Sequence, residues 1–474
     1  MNFEAIIGLE IHVEMKTKSK MFSSAPVTFG DTPNTNVAPI DIAFPGALPL
    51  VNKQAVIHAI RVCNALHMEI DNELWFDRKN YFYSDLAKGY QITQYKRPIG
   101  ENGYLDIKTD SYSKRIVFKR LHLEEDTCKQ IHQNNKTYLD FNRSGIPLLE
   151  IVTQPDIRSG EEARLVVEKI KSIVVFLNVS SGKMEEGSLR CDVNVSIRPI
   201  GSELLNNKVE IKNINTTMNI QKAIDYEIKR QEALLLSGEK VITETRRFDE
   251  KTKQTISMRE KVEEIDYKYF TDANIPPIKL SQDFINEVIE TSPELPDARL
   301  EKYKKLGLSE KTSNLLLASK ETSDYFDEVI SLGANPQLAA NWILVDMQAI
   351  LNKEEINIKD IGVSPSSLAV LINRVEKETI SNKQARLVFD RLRTEGKDVD
   401  KIIEELGLVL ISNEKQLEDI IRNILDNNEQ LVLDYKNGKT HVVSYIIKRV
   451  LEITEGKANP KITNELIIKE MEKR

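Results

Sequence analysis

Strict alternation of polar and apolar residues marks three short segments of the chain as strands. In the longest segment, Leu189–Arg198, every second residue from Arg190 onward is polar and the residues between are apolar. Side chains that alternate with period two point to opposite faces of a sheet. The segments Ile7–Glu14 and Lys208–Lys212 repeat the pattern. The sequence therefore predicts three strands, each with one apolar and one polar face.

The polar faces of these predicted strands carry groups that are common in active sites. They are Glu10, His12 and Glu14 in the first segment, Arg190, Asp192 and Asn194 in the second, and Lys208, Glu210 and Lys212 in the third. If the strands share a sheet, carboxylates, an imidazole and cations gather on one side, as divalent-metal and phosphate sites require. Amphipathic edge strands with solvated charges are the alternative, which suits any one strand better than all three together.

Periodicity divides the chain into a strand-rich part and a helical part. Up to about Pro277, alternating segments, Gly and Pro turns and aromatic clusters predict a largely antiparallel sheet with a few helices. The run Ser292–Pro296 predicts a linker, and helical periodicity follows it. We predict an α+β fold with a sheet-containing head at 1–292, a helical domain at 293–404 and a small helical tail at 405–474.

Charge and composition limit the class of protein. The chain has 66 Lys and Arg against 73 Asp and Glu, a net charge of -7, so any nucleic-acid contact must rest on a local basic patch. No apolar run approaches the roughly 20 residues of a membrane span, and the N-terminus does not resemble a signal peptide. Cys63, Cys128 and Cys191 lack CxxC spacing and are typical of reduced thiols. We expect a cytoplasmic protein with no membrane partner.

Two further acidic segments are candidates for the same site. Glu150 is the only charge in the apolar run Ile146–Val152, and a buried lone carboxylate is costly unless it is paired with a cation, a metal or a proton. A structural pair with Arg143 or Arg158 explains it as well as metal ligation does. The segment Leu121–Asp126 contains three consecutive acids and offers one more ligand.

The remaining histidines and one cationic, aromatic segment are weaker candidates for site residues. His122 and His132 lack ligand-like spacing, so we expect ordinary surface or hydrogen-bonded histidines. The segment Asp77–Tyr83 mixes cations with aromatic residues, which suits stacking on a nucleotide base and, nearly as well, aromatic packing inside the sheet. The sequence has no GxGxxG after a strand and no HExxH. Any nucleotide must therefore bind at the sheet that carries the acids.

Motifs distributed over the chain carry a family resemblance. They are Ile7–Glu14, Phe44–Pro49, Asp77–Tyr83, Leu121–Asp126, Asp140–Val152, Lys183–Asp192, Lys208–Asn213 and Glu244–Asp249. Together they resemble the B subunit of the bacterial aspartyl/glutamyl-tRNA amidotransferase. The resemblance implies a glutamine-synthetase-like catalytic head, followed by a helical domain and a small helical tail that docks on tRNA.

The resemblance also implies a reaction and its machinery. A heterotrimeric, ATP-dependent amidotransferase would convert Glu-tRNA(Gln) and/or Asp-tRNA(Asn) by phosphorylating the side-chain carboxylate and adding ammonia. On the family pattern the metal ligands would be Glu10, His12, Glu125, Glu150, Asp192 and Glu210, holding Mg²⁺ or Mn²⁺. Arg190 and Lys212 would act at the phosphates, and Lys208 would help bind the nucleotide. An amidase A subunit would supply the ammonia, and a small C subunit would clasp the pair.

The chain departs from the family pattern at several positions, and two sets of them bear on metal and tRNA binding. Where many members carry the four cysteines of a zinc site, this chain has Ser23, Ala25, Ala38 and Asp41, so we expect no zinc. In the tail, Lys448 and Arg449 replace a usual Gly-Gln pair. These two residues and Lys457 are the predicted tRNA-phosphate contacts, among other tail cations at Lys436, Lys439 and Lys461.

Two alternatives to this interpretation remain. The archaeal-type E subunit resembles the head but carries a large inserted domain, for which this chain has no room. A tRNA-binding scaffold with an inactive kinase site is the second alternative, and the intact acids of the polar faces argue against it. Whether Gln-tRNA, Asn-tRNA or both are made depends on the misacylated tRNAs present, which the sequence does not specify.

Overall fold

The chain folds into two compact units, which are described separately. The structure, a computed structural model, describes residues 2–260, 266–408, 414–436, 441–454 and 457–474. The first unit ends at Pro296 and the second begins at Asp297. Strands are confined to the first unit within the described residues, and helices make up the second, which confirms the predicted α+β class. The predicted head boundary at residue 292 lies just before this division.

The first unit contains all described strands and four α-helices. The strands are β1 (Phe3–Glu14), β2 (Glu69–Ile70), β3 (Glu73–Leu74), β4 (Asp77–Asn80), β5 (Tyr90–Thr93), β6 (Gly100–Lys108), β7 (Ser113–Glu125), β8 (Lys129–Gln133), β9 (Lys136–Asp140), β10 (Pro147–Thr153), β11 (Leu189–Pro199), β12 (Val209–Lys212), β13 (Glu244–Asp249), β14 (Gln254–Glu260), β15 (Phe270–Thr271) and β16 (Ile278–Lys279). The helices are α1 (Lys53–Ala65), α2 (Gly160–Phe176), α3 (Thr217–Leu236) and α4 (Gln282–Glu290), with a 3₁₀ turn at Pro39–Ile42.

Among the described residues, nine strands form one sheet in the order β14, β13, β12, β11, β1, β10, β7, β6, β2. All neighbours pair antiparallel except β12 and β13, which run parallel. The three segments predicted from alternation correspond to most of β1, most of β11 and all of β12, and these strands lie side by side. Their apolar residues share one hydrophobic core with α1, α2 and α3. The opposite, polar face is therefore left free of these helices.

The capping of α2 shows how local sequence fixes a helix against this core. Ser159 has extended backbone, and its hydroxyl accepts a hydrogen bond from the backbone N–H of Glu162. That bond satisfies one of the donors left unpaired at a helix start. Val166, Ile170 and Val174 then follow at four-residue spacing and are buried. The helix thus presents one apolar stripe to the sheet.

The second unit is helical and contains two hydrophobic cores. Its helices are α5 (Pro296–Lys305), α6 (Glu310–Leu317), α7 (Lys320–Ser331), α8 (Pro336–Asn341), α9 (Gln348–Glu354), α10 (Pro365–Glu376), α11 (Asn382–Glu395), α12 (Val399–Glu405), α13 (Glu414–Asp426), α14 (Glu429–Lys436), α15 (His441–Ile453) and α16 (Pro460–Lys473), with a π-helical segment at Trp342–Met347 and a 3₁₀ turn at Ile358–Asp360. One core is drawn from residues 303–403 and the other from 417–471. The predicted boundary near residue 405 falls between them. In the part of the chain described, none of the helices is long and apolar enough to cross a membrane.

A buried ion pair lies at the positions where the family pattern places zinc ligands. Lys20 Nζ is 3.0 Å from Asp41 Oδ2, and the two side chains are 0% and 3% exposed. The same carboxylate oxygen accepts hydrogen bonds from the Ser23 hydroxyl at 3.2 Å and from the Ala38 backbone N–H at 2.8 Å. A structural zinc needs about four N, S or carboxylate ligands. The residues present do not fit one, because the only carboxylate among them already holds an ammonium group.

We predict that Asp41→Asn destabilises the first unit by about 3–5 kcal/mol, since it leaves the Lys20 ammonium buried without a counter-charge. Urea unfolding of the full chain measures this. Asp106→Asn, which breaks the exposed pair between Asp106 and Arg115, is the matched control and should leave the midpoint nearly unchanged. Equal small shifts for both variants would contradict the importance of the buried pair.

Candidate active site

The register of four neighbouring strands brings the predicted polar residues together. Glu10 lies opposite Asp192, and His12 lies opposite Arg190 on one side and Glu150 on the other. Asn194 of β11 faces Glu210 of β12. All of these side chains except Asn194 line a cavity of about 1040 Å³ over the polar face of the sheet. The predicted gathering of acids, imidazole and cations on one side of a single sheet is therefore what the structure has.

One acidic group is formed by Glu10, Asp192 and Glu210. One carboxylate oxygen from each lies within 4.8 Å of the others. Lys212 forms an ion pair with Asp192 and lies 3.3 Å from Glu210, whose carboxylate also accepts a hydrogen bond from Thr245 at 2.9 Å. Burial, together with the negative charge of neighbouring carboxylates, raises the pKa of Glu10. An all-oxygen set of this kind suits a hard divalent cation.

A second group consists of His12, Glu124 and Glu150, again with ligand atoms within 4.8 Å of one another. His12 Nε2 is 3.5 Å from Glu150 and 3.8 Å from Glu124. His122 lies on the far side of the same carboxylates, with Nε2 at 3.3 Å from Glu150 and 3.8 Å from Glu124. The two imidazoles therefore enclose Glu150 and Glu124.

The pKa values of this second group follow from burial opposed by close opposite charges. Burial alone lowers the pKa of His122, but the charges and hydrogen bonds of Glu150 and Glu124 outweigh it and raise that pKa to about 9. The pKa of His12 is raised for the same reasons, against its burial. Burial raises the pKa of Glu150, but the two histidines lower it well below its usual value. His12 and His122 therefore each favour the charged form of Glu150, and Glu150 favours the charged form of both imidazoles.

Arg190 is a second basic residue of the cavity lining. Its guanidinium is 2.7 Å from Asp126 and 3.9 Å from Glu14. Arg143 also approaches Asp126, at 3.6 Å. Burial and the charge of Asp126 raise the pKa of Glu14 to about 8. Arg190 therefore lines the cavity as a guanidinium paired with Asp126.

A separate small sheet supplies the wall that carries Lys79. Strand β4 pairs with β5 and β15, and Lys79 and Tyr267 both line the large cavity. Lys79 Nζ lies 4.7 Å from the ring centroid of Tyr267 and 5.8 Å from that of Tyr81. Aromatic packing accounts for Tyr81, whose ring contacts Tyr83 and Tyr267. Phe82 is 90% exposed and Tyr83 is 53% exposed, so base stacking by these two residues stays a prediction. The aromatic residues here hold a cation in place.

Comparison with known proteins identifies the family. The family described as GatB/GatE catalytic domain matches residues 5–286, and that described as GatB domain matches residues 324–471. The B subunit of the aspartyl/glutamyl-tRNA(Asn/Gln) amidotransferase of Oceanobacillus iheyensis is 47% identical to this chain over the full length of both. The protein of the same name from Mycoplasma mycoides subsp. mycoides is 48% identical over 100% of this chain and 99% of its own. The chain belongs to this family.

The structure corrects one ligand that the GatB-type family pattern suggested. Glu125 does not join either acidic group, since its side chain forms an ion pair with Lys88 and accepts the backbone N–H of Ile92 at 3.0 Å. Successive residues of β7 point to opposite faces, so the face that holds His122 also holds Glu124. Glu124 therefore takes the place predicted for Glu125.

Two other questions left open by the sequence are answered by contacts. Neither arginine considered as a partner of Glu150 pairs with it, because Arg143 lies at Asp126 and Arg158 lies 3.7 Å from Glu4. His122 is 3% exposed and its Nε2 lies 3.3 Å from Glu150, so of the two expectations for it, a surface or a hydrogen-bonded histidine, the second is the one that holds. Its closeness to Glu150 comes from the pairing of β7 with β10.

The remaining predicted residues lie outside the large cavity. Lys208 is exposed and lines a smaller neighbouring cavity. In the second unit, Lys448 and Arg449 are exposed on α15, and Arg449 pairs with Glu452 at 2.6 Å. Lys457 is half-buried. Lys439 lies outside the described residues. The tRNA role of these tail residues stays a prediction.

The two acidic groups fit divalent cations by their donor chemistry. The group of Glu10, Asp192 and Glu210 offers only carboxylate oxygens, as Mg²⁺ prefers. The group of His12, Glu124 and Glu150 adds an imidazole nitrogen, a ligand more typical of Mn²⁺ and other transition metals. A bound cation would also relieve the repulsion that helps raise the pKa of Glu10.

We predict that Glu124→Gln lowers the affinity for Mn²⁺ at least about tenfold, because it removes a ligand rather than an outer partner. Calorimetric titration of the metal-free chain measures this. Glu125→Gln, at the adjacent position, is the matched control. This variant should keep its affinity for Mn²⁺ but should be less stable, because the Lys88 ammonium loses the carboxylate that it pairs with. The reverse result would restore Glu125 as the ligand.

Proposed function

We propose that this chain is the B subunit of an ATP-dependent, tRNA-dependent amidotransferase that converts Glu-tRNA(Gln) and/or Asp-tRNA(Asn) into Gln-tRNA(Gln) and/or Asn-tRNA(Asn). The observation that carries the proposal is the arrangement of two acidic groups with the donor sets of cation sites and two basic side chains, Lys212 and Arg190, in one cavity. Identity of 47–48% over the full length to proteins with this name supports the same conclusion.

The reaction explains why the cavity needs this charge pattern. Ammonia does not displace oxide from a carboxylate. A side-chain oxygen of the aminoacyl group would attack the γ-phosphorus of ATP, and ADP would leave. Ammonia would then add to the carbonyl carbon of the acyl phosphate, which expels inorganic phosphate and leaves the amide. Negative charge accumulates on phosphoryl oxygens in the first step, so positive groups fixed in place lower its barrier.

The residues of the chain divide this work between them. Mg²⁺, or Mn²⁺ at the histidine-containing group, would neutralise phosphate oxygens and orient them. Lys212 holds its charge because Asp192 and Glu210 raise its pKa against burial. Arg190 and Lys79 add positive charge on other walls of the cavity. Lys208, at the neighbouring cavity, would contact the nucleotide.

The proposed ammonia source is a partner. Free ammonia is mostly protonated at neutral pH and is then no nucleophile, so it must be generated and delivered close to the acyl phosphate. We assign its production to an amidase A subunit, with a small C subunit joining the two. The relatives are named as one lettered component of an amidotransferase, which supports a multi-subunit assembly.

We predict that Asp192→Asn and Glu210→Gln each reduce transamidation of charged tRNA by at least about 10³-fold in the reconstituted complex, because each removes a charge from the all-carboxylate group. Glutamine hydrolysis by the partner should remain largely intact. Asp283→Asn, at an exposed position of α4, serves as the control. Near-normal transamidation by either site variant would refute the role given to these acids.

The tail provides a separate prediction. Replacing Lys448, Arg449 and Lys457 together by Gln should weaken tRNA binding and reduce the slope of log affinity against log salt by about 0.9 for each phosphate that is no longer neutralised. Binding to tRNA at several salt concentrations measures this, with ATP binding as an internal check on the head. The matched control replaces the exposed Lys311, Lys353 and Lys359 by Gln. An unchanged slope in the tail variant would show that these cations do not contact phosphate.

A further inference from the structure

Arg120 is a positive residue of the large cavity whose charge is not paired within the protein. It lines the cavity and is half-buried. Its Nε is buried and has no hydrogen-bond partner among the described residues. In that part of the chain the guanidinium forms no ion pair either, not even with Glu101 directly opposite on β6. Lys212 and Arg190, by contrast, each hold a carboxylate of the chain.

An irregularity in β7 turns Arg120 toward the cavity. Phe118 and Leu121 are both fully buried core residues, although they are three positions apart, so the alternation of β7 is interrupted between them. The register of β7 against β10 shifts at the same place, where Val152 pairs with Arg120 and Thr153 pairs with Phe118. Such bulges bend a strand and redirect side chains, often next to active sites. Arg120 is the first residue after the bulge on the polar face.

The register places Arg120 beside both acidic groups. Across the sheet, Val152 lies opposite Arg120 on one side and Glu10 on the other. Neighbouring strands are roughly 4.8 Å apart, so about 10 Å separates the Arg120 and Glu10 backbones. Along β7, the next residues on the same face are His122 and Glu124, which belong to the histidine-containing site. Arg120 therefore borders the acids without neutralising any of them.

An arginine in this state lacks an anion from outside the chain. A charged group with a buried, unpaired donor is costly, and an anionic ligand would remove that cost. The planar fork of a guanidinium matches a carboxylate through two parallel hydrogen bonds. In the proposed reaction the phosphates of ATP would lie at the cations of the acidic groups. The other anion that must enter the cavity is the side-chain carboxylate of the aminoacyl group.

The alternative anion on the substrate is less suited to this position. The terminal phosphodiester of a charged tRNA is separated from the amino-acid side chain by a ribose and an ester. A carboxylate that reaches the γ-phosphorus beside the acidic groups therefore places the phosphodiester farther out. Arg120, one strand from β10 and two from β1, lies next to the acidic groups. Its position suits the reacting carboxylate.

We propose that Arg120 binds the side-chain carboxylate of the misacylated amino acid and thereby distinguishes the charged substrate from the amide product. This inference rests on the proposed function, because it takes Glu-tRNA(Gln) or Asp-tRNA(Asn) as the substrate. It adds a residue that recognises the group undergoing reaction. It also explains release of the product, since a neutral amide forms a weaker contact with a guanidinium than a carboxylate does.

The test compares one tRNA carrying Glu with the same tRNA carrying Gln. Without ATP, the wild-type chain assembled with its partner subunits should bind Glu-tRNA(Gln) at least about tenfold more tightly than Gln-tRNA(Gln). Arg120→Gln should bring the ratio to about one by weakening the Glu form alone. Arg120→Lys should keep part of the preference, because it keeps the charge but loses the fork. Competition binding in Mg²⁺ measures the ratio, and Asp-tRNA(Asn) with Asn-tRNA(Asn) forms a second pair.

Two controls separate recognition from a structural role. Arg115→Gln changes an exposed arginine of the same strand, which pairs with Asp106, and should leave the ratio unchanged. Urea unfolding of Arg120→Gln should give a midpoint no lower than that of the wild type, because the change leaves no carboxylate without its partner. A lower midpoint together with equal loss of both tRNA forms would make Arg120 structural and overturn the inference.

Each other outcome also has a definite meaning. Equal weakening of both charged tRNAs by Arg120→Gln, at unchanged stability, would assign Arg120 to a tRNA phosphate and overturn the inference. A loss of ATP affinity with the ratio unchanged would assign it to the nucleotide and likewise overturn it. A ratio near one in the wild type, or one that Arg120→Gln does not alter, has the same consequence. Failure of the wild-type complex to bind or amidate either misacylated tRNA would instead refute the proposed function.

Discussion

Repulsion between carboxylates on one face of the sheet is the constraint on which the site depends. Ligand oxygens of Glu10, Asp192 and Glu210 lie within 4.8 Å of one another in a partly buried cavity. Charges at such distances interact by several kcal/mol at the effective dielectric of a protein surface, roughly 20. The structure balances this repulsion with nearby positive groups, Lys212 at one group and two histidines at the other. Our proposal that divalent cations bind at this face rests on the same repulsion.

Rigid strands rather than loops hold the charges in these positions. The residues of the two groups come from β1, β7, β10, β11 and β12, which are interior strands of the sheet. Their alternate residues are fixed by the hydrophobic core against α1, α2 and α3. A one-residue slip in register would move every acid to the core face, so the buried side enforces the geometry of the polar side. Functional groups on strands are positioned more precisely than functional groups on loops.

A buried ion pair lies in the head near the positions where the family pattern places zinc ligands. Lys20 and Asp41 form a fully buried pair, supported by hydrogen bonds from the Ser23 hydroxyl and the Ala38 N–H. The Lys20 ammonium group joins two chain segments here through its pair with Asp41. Removal of either partner should destabilise the fold, because the remaining charge would be buried without a counter-charge. The acids on the polar face of the sheet line an open cavity, whereas Asp41 is buried together with its cation.

Alternation along the sequence was enough to predict β1, β11 and β12 and the polar residues that they carry, because period two is a local property of a strand. Family membership of the whole chain likewise followed from motifs such as Asp140–Val152. The local signal did not reveal that Glu124 rather than Glu125 faces the cavity, since three consecutive acids supply both faces. It also did not reveal that His122 joins Glu150, because β7 and β10 meet only through long-range pairing. Which charges neutralise one another depends on distances across strands, and only the tertiary structure fixes those.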